Sequence, residues 1–148
     1  MKLVWDTEGN GLLDTITDMW CICTADLESG EERQFRPEEI EEGIDYLFSA
    51  STLICHNEIA YDLAVIKKLY GREYSGEVID TLVLSRLLNP DRDGGHSLEA
   101  LSKSLLGEDL KVVNEDWSVF TEHMLHRCVV DVRINKDVYY KLLEEMDT

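Results

Sequence analysis

The stretch Lys2-Leu3-Val4-Trp5-Asp6-Thr7-Glu8-Gly9 decides the reading of this chain. Lys2 to Asp6 is mostly apolar, as a short buried strand requires, and two acids stand at its end. Side chains alternate along a strand, so a spacing of two points Asp6 and Glu8 to one side. Two neighbouring carboxylates at the mouth of an apolar strand mark the place to look for chemistry.

The rest of the chain can be read outward from that strand. Asp18 to Ala25 is a second strand rich in Trp, Cys and Ile. Leu27 to Glu31 is a turn, and Glu32 to Phe35 completes an antiparallel hairpin. Pro37 opens a helix to about Phe48, with Glu38 and Glu39 in the first turn where the dipole favours acids. Thr52 to Cys55 is a short buried strand. Asp62 to Leu69 is a helix with apolar Leu63, Val65, Ile66 and Leu69, ended by Gly71. Val78-Ile79 is a brief strand, and Asp80 caps a helix that runs to Leu88 before Pro90. Ser97 caps a helix to Leu106, with Gly107 after it. Asp116 to Met124 is expected to form a short helix, and Asp131 to Glu145 the last one. The order β-β-β-α-β-α-β-α-α-α describes an α/β fold. It predicts a mixed five-stranded sheet, an antiparallel meander plus parallel strands, flanked by helices.

The 148 residues are expected to form a single domain, 1–148. Apolar content of 44% and charged content of 30% fit a globular chain. No stretch is long and apolar enough for a membrane span. The N-terminus meets charge too soon for a signal peptide, so a cytoplasmic location is expected. Cys21, Cys23, Cys55 and Cys128 lie in apolar runs and are read as reduced core residues. A zinc site would lack any C-x-x-C pair. The net charge of −17, from 31 acidic and 14 basic residues, is a poor balance for gripping long nucleic acid. It remains compatible with carboxylates that hold Mg²⁺ and recruit phosphate through the metal.

Two further acids join Asp6 and Glu8 as candidates. Asp62 begins a helix just after the aromatic Tyr61, and Asp131 begins the last predicted helix. Oxygen-rich clusters suit Mg²⁺ or Mn²⁺, and a two-metal site needs several such carboxylates. His126 precedes Asp131 by five residues, which on one helix would turn the two about 140° apart. If both act in one site, His126 must lie in a loop or a broken turn before the helix, from which it can deprotonate a metal-bound water.

These segments resemble the three motifs of the DEDD superfamily of 3′–5′ exonucleases, which has a ribonuclease H-like fold. The first, D-x-E, is Asp6-Thr7-Glu8. The second, N-x-x-x-(F/Y)-D, is Asn57 to Asp62. The third, in its histidine form H-x-x-x-x-D, is His126 to Asp131. Asp80 to Leu87 and His96 to Leu101 resemble the helical segments between the motifs. The similarity runs from about Leu3 to Leu143, and it is nearest to the proofreading domains of phage family A DNA polymerases. Those domains carry tyrosine four residues before the last aspartate, where this chain has Arg127. The resemblance therefore implies the histidine subclass, as a free-standing enzyme or a subunit.

The resemblance implies two Mg²⁺ or Mn²⁺ ions held by Asp6, Glu8, Asp62 and Asp131, with His126 as general base. Thr7 would meet the terminal 3′-hydroxyl, Leu12 or Leu13 would wedge beside the last base, Tyr61 would stack, and Asn57 would fix the loop or touch the strand. The expected substrate is single-stranded DNA or short oligonucleotides, cut to nucleoside 5′-monophosphates. An oligoribonuclease-like enzyme acting on short RNA is the alternative. A proofreading subunit acting with a polymerase or another protein partner is a third reading.

Overall fold

The first strand, β1 (Lys2–Gly9), continues through both acids before it ends. The computed structural model describes residues 1–57, 61–107 and 116–147, and β1 lies at the centre of its sheet. β2 (Met19–Asp26) pairs antiparallel with β1, and β3 (Glu32–Phe35) pairs antiparallel with β2. On the other side of β1, β4 (Thr52–Cys55) and then β5 (Glu77–Asp80) run parallel. The order is β3-β2-β1-β4-β5, the meander extended by parallel strands that the sequence predicts.

Alternation along β1 builds two cores. Leu3 and Trp5 enter one with Ile22, Ile44, Leu53 and Ile66, beneath α1 (Ile40–Phe48) and α2 (Asp62–Tyr70). Val4 enters the other with Cys21, Cys23, Ile54, Cys128 and Val132, beneath α5 (Glu122–Met146). A third cluster, Leu101, Ile134, Val138 and Leu142, joins α5 to α4 (Leu98–Leu106). Asp6 and Glu8 share the parity of Val4, so strand geometry sends them toward α5. Their partners across the antiparallel ladder are Cys23 and Cys21. All four cysteines are buried and none is in a disulfide.

Polar side chains set the element ends. Asp80 caps α3 (Thr81–Leu88) by accepting from the Leu82 N–H at 2.9 Å, and it also accepts from the Asn57 N–H at 2.9 Å. Asn57 itself has a φ of 65°, a left-handed conformation that asparagine tolerates better than most residues. Ser97 caps α4 through the Ala100 N–H at 3.0 Å. Among the described residues, no helix is long and apolar enough to cross a membrane.

Two expectations are corrected. Residues 116–120 are irregular, not helical, and α5 starts at Glu122, nine residues before Asp131. Thr121 caps it by accepting from the Met124 N–H at 3.1 Å, and Arg36 forks onto Glu122. Leu125, Cys128, Val129 and Val132 are all buried, at the i, i+3, i+4, i+7 spacing of a helix face. The core thus continues through the segment that the third motif suggested was a loop. The middle of the second motif, Glu58-Ile59-Ala60, lies outside the described residues.

Candidate active site

Three elements bring the four carboxylates together. Asp6 and Glu8 come from β1, Asp131 from the face of α5 that packs on it, and Asp62 from the first residue of α2. Glu8, Asp62 and Asp131 are buried, while Asp6 is partly open. Burial, then the charges of Glu8, Asp62 and Asp131, raise the Asp6 pKa well above the carboxylate range. Burial pushes Glu8 up to about 8, against the pull of the Arg127 guanidinium. Burial likewise pushes Asp62 up to about 7, against hydrogen bonds from the Thr7 hydroxyl and backbone N–H. Carboxylates crowded and dried in this way cannot all ionise without a cation. An all-carboxylate set fits a hard divalent ion such as Mg²⁺ or Mn²⁺. The Cys128 thiol lies within 4.8 Å of oxygens of both Asp6 and Glu8. Burial holds its pKa well above the usual thiol range, so it underlies the carboxylates as a neutral packing group.

A cavity opens on each side of the cluster. The larger, about 620 Å³, has Asp6 and Asp131 in its wall with Asn57, Arg86 and His96. The smaller, about 370 Å³, is walled by Thr7, Glu8, Leu12, Tyr61 and Trp117. Leu12 is 73% exposed, a high value for a side chain with no role outside the core. The Tyr61 hydroxyl donates to the Gly11 carbonyl, which fixes its ring at the cavity wall. Leu13 lies outside this wall, and its carbonyl accepts from Lys68 Nζ at 2.7 Å. Thr7 serves Asp62, as the hydrogen bonds above show. His96 bridges Ser85 Oγ at 2.7 Å and the Pro90 carbonyl at 3.2 Å, fixing the loop between α3 and α4.

No family model matches the chain. Over 126 residues it is 30% identical to the DNA-directed DNA polymerase of Enterobacteria phage T3, covering 66% of this chain and 18% of the polymerase. The chain thus spans under a fifth of that relative. Among solved structures, Brucella melitensis NrnC bound to pGG superposes with a TM-score of 0.78 at 20% identity, covering 99% of this chain and 73% of NrnC. NrnC with bound Mg²⁺ superposes at 0.76 with 21% identity over the same shares. Exonuclease X in complex with 5′ overhanging duplex DNA gives 0.68 at 21% identity, covering 100% of this chain and 94% of that one. The chain has the fold of these nucleases.

Within this fold the third motif departs from its expected arrangement. His126 sits in the second turn of α5, not in a loop. It is exposed and lines a surface groove with Gln34, Arg36, Glu122 and Arg133, and neither cavity at the carboxylates includes it. The base role implied for His126 needed a loop, whereas the side chain stands on an exposed face of a continuous helix. His126→Ala is therefore expected to keep turnover within about threefold of the parent, and single-turnover kinetics would check this. A loss of roughly 10²-fold or more, the scale of a missing general base, would restore the role. Arg127, one turn before Asp131, faces the DEDD cluster instead, with Nη1 3.9 Å from Glu8 Oε2 and Nε 3.9 Å from Asp131 Oδ2. Its four-residue offset from Asp131 was the available signal. Trp117 carries no motif and could not have been found from sequence.

Proposed function

We propose that this chain is a metal-dependent 3′–5′ exonuclease that cuts single-stranded DNA or short oligonucleotides to nucleoside 5′-monophosphates. The observation that carries the reading is the cluster of four crowded carboxylates between two cavities. The fold and the solved nuclease neighbours support it. Asp6, Glu8 and Asp131 would hold one Mg²⁺ or Mn²⁺, with Asp6 shared and Asp62 serving a second. When bound, such ions supply positive charge to the attacking and leaving oxygens of a phosphodiester.

The chain's own residues do the positioning. Thr7 orients Asp62 through two hydrogen bonds. Asn135 donates to Thr81 Oγ1 at 2.8 Å, and Thr81 donates to the Cys55 carbonyl at 3.0 Å, tying the Asp131 face of α5 to the end of β4. Tyr61, Leu12 and Trp117 would enclose the terminal nucleotide, and the larger cavity beside Asp6 and Asp131 would take the one before it.

Two cavities and a net charge of −17 favour a short substrate. That makes oligoribonuclease-like action on short RNA the second reading, in line with a neighbour solved with pGG. The likeness to a polymerase region supports a polymerase as a possible partner for either substrate. The test is digestion of end-labelled DNA and RNA, from dinucleotides to long strands, with Mg²⁺, Mn²⁺ or chelator. Stepwise release of 5′-monophosphates from the 3′ end, lost on chelation, is expected. Full activity after exhaustive chelation, or internal cuts alone, would refute the reading.

A further inference from the structure

Arg127 is held in an unusual state. Its side chain is only 16% exposed, and its 3.9 Å distances to Glu8 and Asp131 are ion-pair separations, too long for hydrogen bonds. Among the described residues, Nε and Nη1 have no hydrogen-bond partner. A buried N–H left unpaired costs free energy, so Arg127 keeps donor capacity that an incoming anionic oxygen could use. The guanidinium carbon lies 4.6 Å from the centroid of the Trp117 ring, within cation–π range. Trp117 is held in turn by the Trp20 indole N–H, which donates to its carbonyl at 2.8 Å. The same Trp117 walls the smaller cavity. The cation thus touches Trp117 on the wall of the smaller cavity and neighbours Asp131 on the wall of the larger, without itself lining either.

We propose that Arg127, propped by Trp117, is a catalytic residue that grips a non-bridging oxygen of the scissile phosphate. This rests on the exonuclease reading above. A planar, permanently charged fork of donors matches phosphate geometry. In the reaction the oxygen of water forms a bond to phosphorus while the bond from phosphorus to the upstream 3′-oxygen breaks. One proton leaves the water and one is taken up by the released 3′-oxygen. Charge on the non-bridging oxygens is met by Arg127 with no proton transferred through it.

The test compares Arg127→Ala and Arg127→Lys with the parent chain. Steady-state kinetics on a short oligonucleotide with Mg²⁺ should show kcat falling by about 10²–10³-fold in Arg127→Ala, the scale of one lost transition-state donor. Added guanidinium ion should restore part of the rate, and Arg127→Lys should retain part of it. Calorimetry without turnover should show a nucleoside 5′-monophosphate binding about tenfold more weakly to Arg127→Ala, the scale of one charged hydrogen bond. Should Arg127→Ala not fold, Arg127→Gln is measured in its place. Turnover within about threefold of the parent overturns the proposal. So does a fall in kcat with unchanged monophosphate binding and no guanidinium rescue, which assigns Arg127 to holding the carboxylates alone. A parent chain that cuts neither DNA nor RNA overturns the exonuclease reading itself, whereas an active parent beside a fully active Arg127→Ala overturns only this role.

Discussion

Asp6→Asn is expected to abolish hydrolysis and, in the same protein, to raise the melting temperature of the metal-free chain. Both effects come from one cause. In the proposed site Asp6 would be shared by both ions, so its loss should lower turnover by at least about 10³-fold, the upper end for removing one electrostatic contact at a reacting group. Without metal the same carboxylate is a burden. Burial and the charges of Glu8, Asp62 and Asp131 all oppose its ionisation. Asparagine keeps the shape and removes the charge, so the folded state gains. Calorimetry in chelator near pH 8, alongside a turnover assay, reads both effects. A lower melting temperature for Asp6→Asn would mean that the carboxylate is held by stabilising contacts, contrary to the geometry described. Retained turnover would remove Asp6 from the centre of the site.

The second large effect is a pH dependence of stability with a sign opposite to that of most acidic proteins. In the folded metal-free chain Glu8 holds its proton up to about 8 and Asp62 up to about 7. Unfolded, the same groups release theirs near 4. Between those values the folded state binds more protons, so stability is full below about pH 4 for these groups and falls as pH rises toward 8. A divalent cation binds the deprotonated form, so saturating Mg²⁺ should oppose the fall. Melting temperatures measured from about pH 5 to about pH 8, in chelator and in Mg²⁺, check this. Glu8→Gln should flatten the slope in chelator, which separates the site from the general repulsion of an acidic chain. A slope unchanged in Glu8→Gln would place its origin elsewhere.

The fold was legible because its signals are local. Val4-Trp5-Asp6-Thr7-Glu8 carries strand alternation and the paired acids in one stretch, while Asp80, Ser97, Gly71 and Gly107 mark helix ends by their own chemistry. In the third motif the spacing of His126 and Asp131 points to a loop, while the apolar periodicity of the same segment points to a helix. Leu125, Cys128, Val129 and Val132 already spaced a helix face through His126, and Arg36 secures that helix from 86 residues away. Long-range contacts of this kind leave no mark in the local sequence. The smaller cavity was half legible for the same reason. Thr7, Leu12 and Tyr61 lie in or beside motifs, but Trp117 reaches the wall from a segment without pattern.

Three arginine–carboxylate pairs tie distant segments to α5 along its length. Arg36 holds Glu122 at its start, Glu32 is gripped by Arg133 at 2.8 Å near its middle, and Arg92 holds Glu145 at 2.9 and 3.0 Å near its end. A 25-residue helix spans about 37 Å, so α5 is a crossbeam bolted to the frame at three stations. Asp131, Arg127 and Asn135 ride on it as one piece. The alignment of the carboxylate on the beam is thereby governed from its bolts. A loosened Arg92 or Arg36 would tilt the beam and misalign the site, although neither arginine lines either cavity at the carboxylates.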